Sequence, residues 1–245
     1  MTGQRTLATA GRVLRQLRHD PRTIALMLVV PCLLMTLLRY VYDGQVQIFD
    51  HVAPVLLVLF PFTVMFVVTS VAMLRERSSG TLERLLTTPM AKGDLLAGYA
   101  LAFSVAAVIQ VGLVMVLAVG PLGLQIHGGL GALATVALLD ALLGTVLGLF
   151  LSAFANTEFQ AVQFLPAFVL PQLLLCGLFA PRAQMLPILS WLSDVMPLSY
   201  AVDAATRAAT SSMWTSALTT DVLVVAACIP LFLGLGAGTL RRRTP

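Results

Sequence analysis

Six long stretches of the chain are almost free of charge, and polar segments of differing character separate them. The apolar stretches cover residues 23–42, 52–74, 95–120, 130–154, 160–180 and 219–240. A hydrocarbon core of about 30 Å needs roughly 20 mostly apolar residues per helix, so each stretch predicts a membrane-crossing helix. Ahead of the first, Leu7, Ala10, Leu14 and Leu17 recur at helical spacing, with Arg5, Arg12, Arg15 and Arg18 on other faces. This pattern predicts an amphipathic helix within residues 1–22, lying along a membrane interface with its arginines against anionic headgroups. Between the fifth and sixth stretches, residues 181–218 contain Pro181, Pro187 and Pro197 and only short apolar runs, which predicts short re-entrant helices that dip into the interface without crossing. The expected fold is all-α, a six-helix membrane bundle in a single transmembrane domain over residues 1–245.

Composition agrees with this pattern. Charged residues make up 11% of the chain, against roughly 25% in soluble domains, and the mean hydropathy is +0.93. The net charge of +4 does not point to nucleic acid, because the basic residues flank apolar runs, where they act as topology signals. Arg5, Arg12, Arg15, Arg18 and Arg22 precede the first run, Arg75, Arg77, Arg84 and Lys92 lie in the second connection, and Arg241, Arg242 and Arg243 follow the last run. The other side carries Arg39, Arg182 and Arg207. Both termini and residues 75–94 are therefore expected in the cytoplasm, and the leading segment reads as an uncleaved first helix rather than a signal peptide. One lysine against fourteen arginines suggests a bacterial source, hence a bacterial inner membrane. Cys32, Cys176 and Cys228 all lie in apolar runs without a metal-binding or disulfide spacing.

The stretch RERSSGTLERLLTTPMAKGD, residues 75–94, is the most charged segment of the interior. Gly80 follows two serines, Thr81 is placed to cap a short helix, and Pro89 ends it. Leu82, Leu85 and Leu86 share one face of that helix, while Glu83 and Arg84 point elsewhere. Such a short helix is stable only when docked; its leucine face either packs beneath the bundle or is offered to a cytoplasmic partner. Within the membrane, Asp140 falls near the midplane, on the same face as Gly144 and Gly148. This predicts a close helix contact through the glycines and an acid that faces protein, water or a cationic substrate. Phe62, Met65, Phe66, Thr69 and Met73 share one face of the second run, as do Gln160, Phe164, Phe168 and Gln172 of the fifth. These are packing stripes or, where the amides turn from lipid, cavity walls. Asp203 and Arg207 are spaced to pair on one helix.

RERSSGTLERLLTTP resembles the ExxxGTLExLLxTP signature that follows the second transmembrane helix of ABC-2 type permeases, the membrane subunits of ATP-binding-cassette exporters. LPILSWLSDVMPLSYAVDAATR, residues 186–207, is similar to the family's second signature before the last span. The chain departs from the pattern at Tyr99, where many members have Lys after the Gly98 equivalent, and at Met196, where Asn usually precedes Pro197.

The resemblance implies that the 75–94 loop carries a coupling helix seated in a separate ATPase subunit. Leu82, Arg84, Leu85 and Leu86 would then make contact, and Arg75, Glu76 and Glu83 would position the loop, with Gly80, Thr81 and Pro89 shaping it. The sequence contains neither a GxxxxGK[ST] phosphate loop nor an LSGGQ-like segment. ATP and magnesium are accordingly expected in two partner ATPase subunits, no cofactor in this chain, and no enzymatic activity of its own. The resemblance also implies pairing with a second copy or a homologous permease, a path past Phe62, Met65, Phe66, Thr69, Asp140, Gln160, Phe164, Phe168 and Gln172, and an outer gate at Pro197, Tyr200, Asp203 and Arg207. Export of a drug-like amphipath, export of a lipid or lipid-linked glycan, and proton-coupled transport through Asp140 are the functions left open.

Overall fold

A computed structural model of the chain describes residues 3–81, 91–178, 182–211 and 213–239. Among these residues every regular element is helical, and six helices are long and apolar enough to cross a membrane. An amphipathic helix, α1 (Gly3–Arg18), precedes the first span α2 (Pro21–Val41). The remaining spans are α3 (Val46–Ser78), α4 (Lys92–Val119), α5 (Leu130–Leu151), α6 (Glu158–Leu175) and α9 (Ser216–Thr239). Two short helices, α7 (Pro187–Val195) and α8 (Pro197–Thr210), lie between α6 and α9. With α8 at 14 residues, or about 21 Å, neither can cross a hydrocarbon core.

The bundle is organised around α3 and α5, which run parallel. The predicted glycine contact is formed: a Cβ on Gly144 would overlap the backbone of Phe62, and one on Gly148 would overlap the Phe66 carbonyl and the Thr69 hydroxyl. Without side chains at 144 and 148 the two backbones can approach closely. The Thr69 hydroxyl donates to the Met65 carbonyl at 2.7 Å and faces the Thr145 carbonyl across the contact at 3.1 Å. Phe62, Met65, Phe66, Thr69 and Met73 are fully buried in this seam.

At 33 residues, α3 is about 50 Å long, well beyond the hydrocarbon thickness. Its C-terminal turns therefore project from one end of the bundle, the end where α1 lies. There α1 crosses α4 so closely that a Cβ on Gly98 would collide with Thr9. The buried face of α1 is Thr9, Ala10 and Val13, with Leu14 and Leu17 half-buried against the core. Leu7, predicted on the same stripe, is 63% exposed, because contact with α4 rotates the buried face toward Thr9 and Val13.

The opposite end is closed by polar contacts between elements. The Arg39 Nε donates to the Leu122 carbonyl at 3.1 Å, and the Gln125 amide to Asp50 at 3.1 Å. The alanine-rich face of α8, including Ala201, Ala204, Ala205 and Ala208, is buried. In contrast, α7 leaves Ile188, Trp191 and Val195 exposed along one face.

Candidate functional site

Three consecutive residues in the last turns of α3 bind it to its surroundings at the α1 end. Arg75 grips Glu158, the first residue of α6, in a two-pronged contact of 2.9 and 3.3 Å. It also lies 4.0 Å from Asp20, which caps α2 through the Thr23 amide and hydroxyl at 3.2 and 2.6 Å. Those Thr23 bonds, the hydroxyl's first, with Arg75 adding to them, hold the Asp20 carboxyl below the usual carboxylate range. Glu76 is buried, and its Oε1 accepts from Arg12 and from Gln16 of α1, each at 3.0 Å. Arg77 donates to the Ser152 and Ala153 carbonyls just past α5, at 3.2 and 2.9 Å. Basic residues also suit the negative end of the α3 dipole.

These contacts join α1, α2, α5 and α6 to one turn of α3. Past it, Ser79 is the C-cap and Gly80 has φ +70°, a conformation glycine adopts without strain. The Ser79 and Thr81 hydroxyls are 2.9 Å apart. The predicted coupling residues Leu82, Glu83, Arg84, Leu85, Leu86 and Pro89 lie outside the described residues.

Arg12 does not face headgroups as the amphipathic pattern suggested. It pairs with Glu76, donates to the Tyr99 hydroxyl at 2.7 Å and lies over that ring at 5.7 Å. Arg12, Gln16, Asp20, Tyr99 and Glu158 were not singled out as site residues from sequence. Their partners are up to 87 positions distant, and no local spacing signals such pairing. Tyr99, the departure from the family's lysine, supplies Arg12 with an acceptor where a lysine would add a second cation.

A cavity of about 630 Å³ opens beside this knot, between α1, α2 and α3, with Tyr99 and Phe103 of α4 among its walls. The α3 wall is Thr63, Val64, Val67, Val68, Val71 and Ala72, on the opposite side from the seam with α5. The predicted path residues Phe62, Met65, Phe66 and Thr69 thus pack inside the protomer, and the adjoining valine face lines the open space.

On α6, Gln160 accepts from the Asn156 amide at 2.9 Å, while its own amide is capped by Thr157. Phe164 is half-buried, Phe168 exposed and Gln172 buried, with Gln172 Nε2 donating to the Phe168 carbonyl. Steps of four residues drift about 40° each around a helix, so these four residues do not hold one face. Asp140 is fully buried, and neither carboxyl oxygen has a partner.

At the far end, Asp203 and Arg207 do not pair with each other. Arg182 donates to Asp203 at 2.7 Å and to Asp194, and Arg207 pairs with Asp221 of α9. Each finds a partner on another element, and Asp221 is buried, where an ion pair is less screened than an exposed i,i+4 contact. Tyr200 donates to the Asp194 carbonyl at 2.8 Å with Arg182 over its ring, and Pro197 opens α8.

Six apolar spans, with a short helix laid across one end and two short helices at the other, define a multi-pass membrane protein. The ABC-2 type transporter family profile matches residues 4–209, and the chain belongs to that family. It is 26% identical over 182 residues to the probable multidrug ABC transporter permease YbhR of Escherichia coli (strain K12), covering 71% of this chain and 50% of that protein. It is likewise 26% identical over 178 residues to the probable multidrug ABC transporter permease YbhS of the same organism, covering 72% and 47%. ABC transporter G family member 20 of Dictyostelium discoideum is 24% identical over 155 residues, covering 63% of this chain and 21% of that protein. The chain thus spans about half the length of the two bacterial relatives.

Proposed function

We propose that this chain is the permease subunit of an ABC exporter in a bacterial inner membrane, moving a drug-like amphipath outward while separate ATPase subunits hydrolyse ATP. The observation that carries this reading is the knot at the end of α3, where Arg75, Glu76 and Arg77 hold α6, α1 and the end of α5 directly before the signature segment. A force applied to residues 81–89 would enter the bundle at a turn that is bonded to α1, α6 and the end of α5. Leu82, Arg84, Leu85 and Leu86 would receive the force, with Arg75, Glu76 and Glu83 positioning the loop. Two ATPase subunits bind ATP and magnesium, one for each of two permease units, the second unit being another copy or a homologous permease. The α1 end and both termini face the cytoplasm, in keeping with the clustering of Arg and Lys there. The multidrug permeases among its relatives favour amphipathic drugs over lipid-linked glycans as cargo.

Affinity purification from native membranes tests the assignment. An ATPase subunit should co-purify with the wild-type chain, and Leu82→Asp with Leu86→Asp should abolish both that association and ATP-dependent transport. Transport that survives ATP depletion but collapses with the proton gradient would instead favour Asp140-dependent secondary transport.

A further inference from the structure

The cavity beside α3 has features that the coupling role does not use. Its walls run along α3 from Thr63 to Ser79, about 24 Å of helix, from the middle of the span to the bundle's surface. The α2 wall is Leu26, Met27 and Val30, so the upper part is an apolar slot of the width between two helices. Its volume of about 630 Å³ falls within the roughly 300–1,000 Å³ of small-molecule sites.

All the charge lies at the lower end, where Asp20, Glu76 and Arg75 line the mouth. The Arg75 guanidinium is held by Glu158 and that of Arg12 by Glu76 and Tyr99, so both cations are already engaged. The carboxylates are not saturated. Glu76 is 7% exposed, and its Oε2 is buried without a hydrogen-bond partner, a costly state for an acceptor. The Asp20 side chain remains partly open to solvent, 4.0 Å from its nearest cation. Among the described residues the mouth therefore has spare acceptors, while Arg75 there and Arg12 beside Glu76 are engaged.

We infer that this slot binds a single-tailed cationic amphipath, with its ammonium head between Asp20 and Glu76 and its apolar tail between α2 and α3. The ammonium supplies the donor that Glu76 Oε2 lacks. An anionic head would meet two carboxylates and one cation already held by Glu158, and a neutral head would gain no attraction from the carboxylates. The inference deepens the proposed export role by naming a cargo class, and it rests on that role only for the direction of transport, since binding requires no ATPase.

The test is binding of radiolabelled dodecylammonium to the full chain in phosphatidylcholine nanodiscs, with empty discs subtracted. Saturable binding of one molecule per chain is expected. Asp20→Asn should weaken it about three- to fivefold, as for removal of one partly exposed charge partner. Val68→Trp, which fills the slot, should abolish binding while the helical circular dichroism and oligomeric state are retained. Dodecyl sulfate and dodecyl maltoside should not displace the probe. Displacement by the sulfate, full binding to Val68→Trp, or unchanged affinity in Asp20→Asn would overturn the inference. Loss of self-association in Val68→Trp would also overturn it, by assigning the slot to a second copy. Failure of an ATPase to co-purify would contradict the export role and leave the binding result standing.

Discussion

At the scale of single residues, the account rests on atoms that have no room or no substitute. Gly148→Ala would drive a methyl into the Phe66 carbonyl and the Thr69 hydroxyl, and separating α3 from α5 should destabilise the protein by about 1–3 kcal/mol, in the range of overpacked cores. Thermal unfolding in detergent checks this, and a Gly11→Ala control, where a Cβ meets nothing within 4 Å, should lose nothing. Arg12→Ala would leave the buried Glu76 carboxylate with Gln16 as its one hydrogen-bond donor. A loss of about 2–3 kcal/mol is expected from a buried charge deprived of its partner, much of it recovered when Glu76→Gln is added. Asp20 gives a pH signature. Folding lowers its pKa through Thr23 and Arg75, so its contribution is present in full above the ordinary carboxylate range and is lost as pH falls through the lowered folded value. Melting temperatures of wild type and Asp20→Asn should therefore differ at neutral pH and converge in acid; a constant difference would contradict the assignment.

At the scale of elements, legibility followed the range of the interaction. The six spans needed only length and apolarity, and their structural bounds differ from the sequence reading by a few residues at most ends. The Gly144/Gly148 contact was also legible, because small residues one turn apart mark a close approach whatever the partner. The residues facing each glycine were not. The pattern of Phe62, Met65, Phe66 and Thr69 favoured packing without naming a partner, and the structure buries them, with Phe62, Phe66 and Thr69 against the glycines of α5. The α1 pattern located the helix but not its rotation, which Gly98 and Thr9 set through a contact 89 positions apart in the chain. Arg207 and Asp203 were paired by spacing alone, whereas Asp221 and Arg182, reached through tertiary packing, displaced that pairing. Double-mutant cycles should give coupling near zero for Asp203 with Arg207, and about 1 kcal/mol or more for Arg207 with Asp221.

At the scale of the whole molecule, α3 divides the protomer. One face is buried against α5, the opposite face opens on the slot with α2, and its projecting end joins α1, α2, α5 and α6. Under the proposed coupling, a displacement of that end would move one wall of the slot relative to the other and so link the 82–90 segment to the cavity through a single long helix. The most direct measurement is the distance between spin labels at residue 79 of the two proposed permease units, in lipid and together with the proposed ATPase partner. Trapping with ATP and vanadate should shift that distance, and Leu82→Asp with Leu86→Asp should abolish the shift; a distance indifferent to ATP, or a shift that survives the double substitution, would contradict the account.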